Sequence, residues 1–225
     1  TLAELTSLCN ELTDQLNTLS DSVDRDSDGL ADMGKDLQGR ARTAMSSLGV
    51  TYPELSGYYP QPKGLLFPAF LSVQNLSGIY SPFTIEANYN SAMVSYNLPF
   101  TICHELSHLR GFMQEEEANF IGFLACVSTD DTAFNYSGYL LGWIYATNEL
   151  YETDYDTFEE VYSRLSDNVK ADLSANSSFW NRYDSKVAEV SGQINDHYLK
   201  ANGQSDGVKS YDRMVDLMIT WFRSK

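Results

Sequence analysis

The chain has 225 residues with 43% hydrophobic and 13% aromatic side chains, enough to bury a core, which excludes a disordered polypeptide. Thirty-one acidic against 15 basic side chains leave a net charge of −16, which argues against nucleic acid or an anionic membrane surface as partner. Cys9, Cys103 and Cys126 are an odd set without metal-ligand spacing, so neither a disulfide framework nor a cysteine metal site is expected, and Cys103 reads as a small packing residue.

From the N-terminus, Leu5, Leu8, Leu12, Leu16, Leu19 and Val23 recur three and four apart, which predicts an amphipathic helix. Asp24-Arg25-Asp26-Ser27-Asp28-Gly29 ends it. Alternating Asp24, Asp26 and Asp28 before a glycine resembles the opening of a calcium-binding loop, and Asp32 could add a ligand. Lys35 stands where the closing Glu of such a loop belongs, so a polar turn is favoured over Ca²⁺. A second helix is expected over about residues 30–48, completing an N-terminal helical part, 1–50. Residues 52–62, rich in Pro, Gly and Tyr, read as an ordered loop. Strands are expected at 65–73 and 79–85, with another around 92–96, giving a small sheet within 63–97.

The next segment carries the chemistry. His104-Glu105-Leu106-Ser107-His108 is an HExxH motif, and two of the three histidines of the chain form its pair. On a helix, residues four apart project from one face a turn from each other, so both imidazoles can share one Zn²⁺ at about 2.0–2.1 Å. Glu105 lies about 100° round the helix, close enough to act as general base on a zinc-activated water whose pKa falls toward about 7. Pro99 suits a first turn and Gly111 a stop, while Leu98, Ile102, Leu106 and Leu109 fall opposite the histidines and would anchor the helix. A catalytic zinc keeps three protein ligands and one open position. Gln114-Glu115-Glu116-Glu117-Ala118-Asn119-Phe120 offers the third on a following helix. Glu115 shares a face with Asn119, four residues on, so Glu115 is favoured as ligand with Asn119 bonding a zinc-bound histidine. Glu117 is the alternative, with Glu116 behind it. A third histidine at 114 would make a metzincin site, but that position is Gln114.

Residues 98–112 around this motif, with Glu115-x-Glu117-Ala118-Asn119-Phe120, resemble the "domain of unknown function 3810" family of bacterial membrane-anchored, zincin-like metallopeptidases. Matching stretches recur at 78–88, 198–204 and 207–211, so the resemblance runs from about residue 63 to 217. It implies an α+β, predominantly α-helical, zincin-like fold. It gives metal roles to His104 and His108, the general-base role to Glu105 and an acidic ligand from the Glu-x-Glu-Ala-Asn segment. Many gluzincins carry Asp four residues after the ligand Glu, where Asn119 stands here. By resemblance 78–88, with Gly78, Ile79 and Tyr80, is the candidate edge for pairing a peptide substrate.

Beyond the zinc-site helices, 98–128, the part from 129 to 225 reads as helical, with helices over 139–151, 158–165, 180–199 and 208–222. Tyr198, His197 and Tyr211 are candidates to stabilise the transition state as a second electrophile. One domain over 1–225 is expected. No run of about 18 apolar residues or signal peptide occurs, and a first residue of Thr rather than Met suggests a processed piece of a longer protein. The resemblance implies anchoring by a segment outside these residues, with the extracytoplasmic side favoured. The sequence therefore points to a peptide-bond hydrolase holding one Zn²⁺ per chain. The alternatives are a zinc-binding but non-proteolytic sensor or assembly module of a membrane system, and a metal-free helical adaptor.

Overall fold

The computed structural model describes residues 1–65, 67–183 and 212–224. Helix α1 (Leu2–Ser20) opens on a capping box between Thr1 and Glu4 and buries Leu5, Leu8, Leu12 and Leu16. That stripe packs along α6 (Thr132–Thr153), where the Trp143 indole donates to the buried Thr13 hydroxyl at 2.9 Å.

The acidic stretch after α1 folds as a polar turn. The Asp26 carboxylate accepts from the backbone N–H of Asp28 and of Leu30, both at 2.9 Å, and Gly29 takes a positive φ of 77°. Arg25 and the N–H of Ala31 instead reach across to Asp172, which is fully buried on α8 (Asp167–Asn181) and also accepts from the Tyr136 hydroxyl. With residues 25–31 held in this way, the second helix cannot begin at residue 30. Helix α2 spans Leu37–Thr51 and starts from Asp36, whose carboxylate accepts from Gly39 N.

The sheet departs furthest from expectation. Among the described residues of the first expected run, 65–73, none is a strand: Lys63–Gly64 (β1) lies just before it, and Ala69–Val73 forms a short helix, α3. Pro68, with φ −63° and ψ −25°, sets helical geometry at that point. The second run is a strand only over Gly78–Ser81 (β2), because the chain turns at Pro82 and Ile85 adopts φ 55°. The third strand is Glu86–Tyr89 (β3), earlier than 92–96, which turns instead. Asn90 ends it by accepting from Ala92 N at 3.1 Å and donating to the Ser72 hydroxyl at 2.9 Å. The strand order is β1-β3-β2, with β1 parallel and β2 antiparallel to β3. Strand β2 is thus at one edge.

Helix α4 (Asn97–His108) runs through the middle of the molecule, against α2, α5 (Glu115–Val127), α6 and β3. The expected two-faced helix is enclosed on nearly every side. Thr101, Ile102, Cys103, Glu105, Leu106, Ser107 and His108 are all buried, whereas Leu98 and Leu109 at its ends are half-buried. Its first turn is satisfied from a distance: the Ser137 hydroxyl of α6 donates to Tyr96 O at 2.5 Å and accepts from Phe100 N at 3.1 Å. Pro99 falls in that turn, where a missing N–H costs little.

The C-terminal part is helical in the described residues. Helix α7 (Tyr155–Ser163) follows α6 and α8 ends at Asn181, near where a helix was expected to begin. Its apolar period is interrupted by the buried Asp172, which hid it from a hydrophobic reading. Helix α9 (Asp212–Arg223) returns to pack on α1, α5 and α6. The architecture is therefore predominantly α-helical with a small three-stranded sheet, an α+β fold.

Candidate metal centre

Helix α4 ends at its second motif histidine, His108. Gly111, at φ 90°, lets the chain reverse, and Gln114 leads in extended form into α5. Glu115 is the first residue of α5, so its side chain reaches back over the end of α4. The result is a three-residue cluster, His104, His108 and Glu115, whose ligand atoms all lie within 4.8 Å of one another. It is the group of this kind among the described residues; Asp24, Asp26 and Asp28 do not converge in that way.

The distances suit a small divalent cation. His104 Nε2 is 3.1 Å from His108 Nε2 and 3.3 Å from Glu115 Oε2, and His108 Nε2 is 3.8 Å from Glu115 Oε1. Ligands about 2.0–2.1 Å from a tetrahedral Zn²⁺ stand about 3.3 Å apart. Two facing Nε2 atoms cannot both donate to each other, so such an approach calls for a proton or an ion between them. His108 is oriented for this: its Nδ1 lies 2.7 Å from Phe112 O, and an N–H there leaves the Nε2 lone pair directed at the cluster.

The electrostatics ask for positive charge at the same point. Burial disfavours a charged His104, but the hydrogen bond and charge of Glu115, the charge of Glu105 and the Asn119 side chain outweigh it and raise its pKa to about 9. Burial and the neighbouring His104 push His108 down to about 4. Burial also raises the Glu115 carboxyl, yet His104 and His108 overcome it and hold the pKa below the usual value. One buried proton on the histidine pair thus sits where a cation would bind.

Glu105 stands beside the cluster without belonging to it. Its Oε1 is 4.0 Å from His104 Nε2, its Oε2 is buried without a hydrogen-bond partner, and burial is the main cause that lifts its pKa to about 8. The carboxylate has room because residue 78 is glycine: a Cβ there would stand 2.3 Å from Oε1. Tyr80, two residues along the same side of β2, has its ring centroid 6.0 Å from that of His108. Ile79 alternates to the other face and is exposed. Of the expected substrate edge, Gly78 therefore borders Glu105 and Tyr80 lies beside His108.

The three consecutive glutamates divide three ways. Glu115 meets the histidines, Glu116 is buried and paired with Arg213 of α9 at 3.1 Å, and Glu117 is exposed. Asn119 is buried beside His104. Its Oδ1 accepts from the Tyr145 hydroxyl at 3.4 Å, while its Nδ2 and the Nδ1 of His104 are buried without partners. Tyr198, His197 and Tyr211 lie outside the described residues. Sequence reasoning missed Gly122, where a Cβ would stand 3.3 Å from both His104 N and Phe100 O. This glycine lets α5 approach α4 at His104, and a glycine inside a helical pattern was the available signal.

A buried two-histidine, one-carboxylate cluster with a free carboxylate alongside, carried on packed helices, defines a candidate metal-centre protein of mixed α+β class. The chain belongs to the family described as "Protein of unknown function (DUF3810)", whose pattern matches residues 1–219. No curated protein and no solved structure matches it. Among the described residues no helix is long and apolar enough to cross a membrane.

Proposed function

We propose that this chain is a zinc-dependent hydrolase of peptide bonds with a zincin-like site. The observation that carries the reading is the meeting of His104 Nε2, His108 Nε2 and the Glu115 carboxylate, with Glu105 buried at its margin and one carboxylate oxygen unused. Those three side chains would hold the metal. A bound Zn²⁺ would supply Lewis-acid polarisation of a water and of the carbonyl under attack.

The protein's own residues do the rest. Glu105 Oε2 accepts the proton of the attacking water and afterwards returns it to the leaving amine. The charge of His104 already lowers the Glu105 pKa against the effect of burial, and a cation held by His104, His108 and Glu115 would act in the same direction, so that the base would be charged. His108 is held in one tautomer by Phe112 O, and Asn119 packs behind His104. Strand β2, with an open edge among the described residues and Gly78 and Tyr80 against the site, supports an extended peptide as substrate. An idle buried carboxylate has no purpose in a closed structural metal site, which favours hydrolysis over a sensor or assembly module. The family resemblance supports a bacterial, membrane-anchored protein of which these residues form the hydrolytic part.

Metal analysis and a cleavage assay on an unfolded protein substrate test this together. One zinc per chain is expected, with Glu105→Gln keeping the metal and losing about 10²–10⁴-fold in rate. Wild-type cleavage by Glu105→Gln would remove the mechanism.

A further inference from the structure

No Asp, Glu, Lys, Arg or His occurs between Lys63 and Glu86, in a chain where 20% of residues are Asp, Glu, Lys or Arg. This uncharged run contains α3, β2 and the turn after it, and many of its described side chains are exposed, although Leu71 and Ser72 are buried. Of fourteen exposed large hydrophobic side chains among the described residues, six lie here: Phe67, Phe70, Val73, Ile79, Phe83 and Ile85. Phe67 is 80% exposed, Phe70 67% and Phe83 98%. Ile85 is also β-branched at φ 55°, a backbone conformation such a residue adopts at a cost, although no packing requires an isoleucine at an exposed turn. Apolar surface on this scale marks a binding surface more often than a solvated one.

Its position selects the occupant. Phe67, Phe70 and Val73 precede the Gly78 end of β2, and Phe83 and Ile85 follow the Ser81 end. Between them the strand covers about 10 Å, and its inner side touches Glu105 through Gly78 and His108 through Tyr80. Exposed apolar side chains thus precede and follow, along the chain, the strand that borders the candidate site. We infer that this surface selects the substrate: an extended polypeptide segment without charges, carrying bulky apolar side chains on both sides of the bond to be cleaved. The inference rests on the hydrolase reading and adds the chemical class of substrate. Acidic segments are disfavoured twice, by the absence of cationic partners along 64–85 and by the net charge of −16.

The test separates the substrate class from the hydrolysis. Fluorescence anisotropy on full-length, zinc-loaded Glu105→Gln protein compares an uncharged peptide bearing Leu and Phe with the same peptide carrying Asp at both ends. The apolar peptide is expected to bind at least tenfold more tightly. Phe70→Ser and Phe83→Ser, both exposed and expected to leave the fold intact by circular dichroism, should each weaken it about tenfold. Equal affinity for both peptides overturns the proposal, as does binding indifferent to both serine variants. Phosphatidylcholine vesicles and sedimentation provide two further readings. Serine-sensitive vesicle binding without peptide preference overturns the proposal in favour of a bilayer, and serine-sensitive dimerisation without it does so in favour of a second copy. Wild-type protein then distinguishes the two claims. Peptides bound selectively but never cleaved leave the apolar surface standing and remove the hydrolase, whereas cleavage without preference removes the surface and leaves the hydrolase.

Discussion

The crossing of α4 and α5 and the unit made by α3 and the small sheet differ in almost every physical respect. At the crossing, side chains are buried, a glycine sets helix separation, and the ends that carry the cluster are held by Phe112 O at His108 and by Arg213 of α9 at Glu116. In the sheet unit the strands have two to four residues, the connections are turns, and large apolar groups face solvent. The comparison teaches a division of labour. Groups that must keep tenths of an ångström belong on packed helices, while groups that must meet a variable partner belong on a rim. The two regions touch at Gly78 and Tyr80, where a strand without a side chain leaves room for a buried carboxylate.

The largest expected effect breaks the crossing chemically. His104→Ala should abolish stoichiometric zinc, because loss of one of three ligands leaves two and an uncompensated Glu115. Elemental analysis after gel filtration reads this directly, and a folded variant with full zinc would remove His104 from the site. Gly78→Ala tests the junction. Its Cβ would stand 2.3 Å from Glu105 Oε1, so the carboxylate must move. A fall of about 10–100-fold in turnover with zinc and secondary structure retained is expected, since misplacement of a catalytic group by about 1 Å costs on that order.

Gly122→Ala sharpens the contrast in stability. The added methyl would press on backbone atoms of α4 at 3.3 Å. Overpacking of this kind costs about 1–3 kcal/mol, or about 2–4 °C in Tm per kcal/mol for a chain of this size. Thermal melts of the zinc-free protein isolate that cost from metal binding. The smallest effect concerns Asp131, which caps α6 and takes a two-pronged ion pair from Arg40 at 2.6 and 2.7 Å. Burial works against its charge, but the Arg40 hydrogen bond and the backbone N–H groups of Phe134 and Ala133 win and lower its pKa. Its contribution is therefore complete above the unfolded carboxyl's value near about 4 and is lost as pH falls through the lower folded one. Asp131→Asn should cost about 1–2 kcal/mol at neutral pH and flatten that acid limb in denaturant titrations.

Much of the crossing was legible because its information is local. Two histidines four apart, a proline in a first turn and a stop glycine act within or just after one helix, as the leucine stripe does in α1, and local patterns of this kind are readable from the sequence. The sheet unit was misread for the opposite reason. Residues 69–73 are apolar except for Ser72 and short enough for strand or helix, and Pro68 and the contact from Asn90 to Ser72 made them α3. Helix α8 escaped because its buried face includes Asp172, which only the distant Arg25, Ala31 and Tyr136 make tolerable.

The sequence by itself determined that His104 and His108 share a helical face, that Glu105 lies beside it, and that a carboxylate from 115–117 follows a turn. Only the tertiary structure decided which carboxylate arrives. Glu115 reaches the histidines because α5 starts at that residue, Gly122 sets its distance from α4, and Glu116 is paired with Arg213. Rotation of one helix against another is a sum of contacts between residues far apart in the chain, and no local period records it.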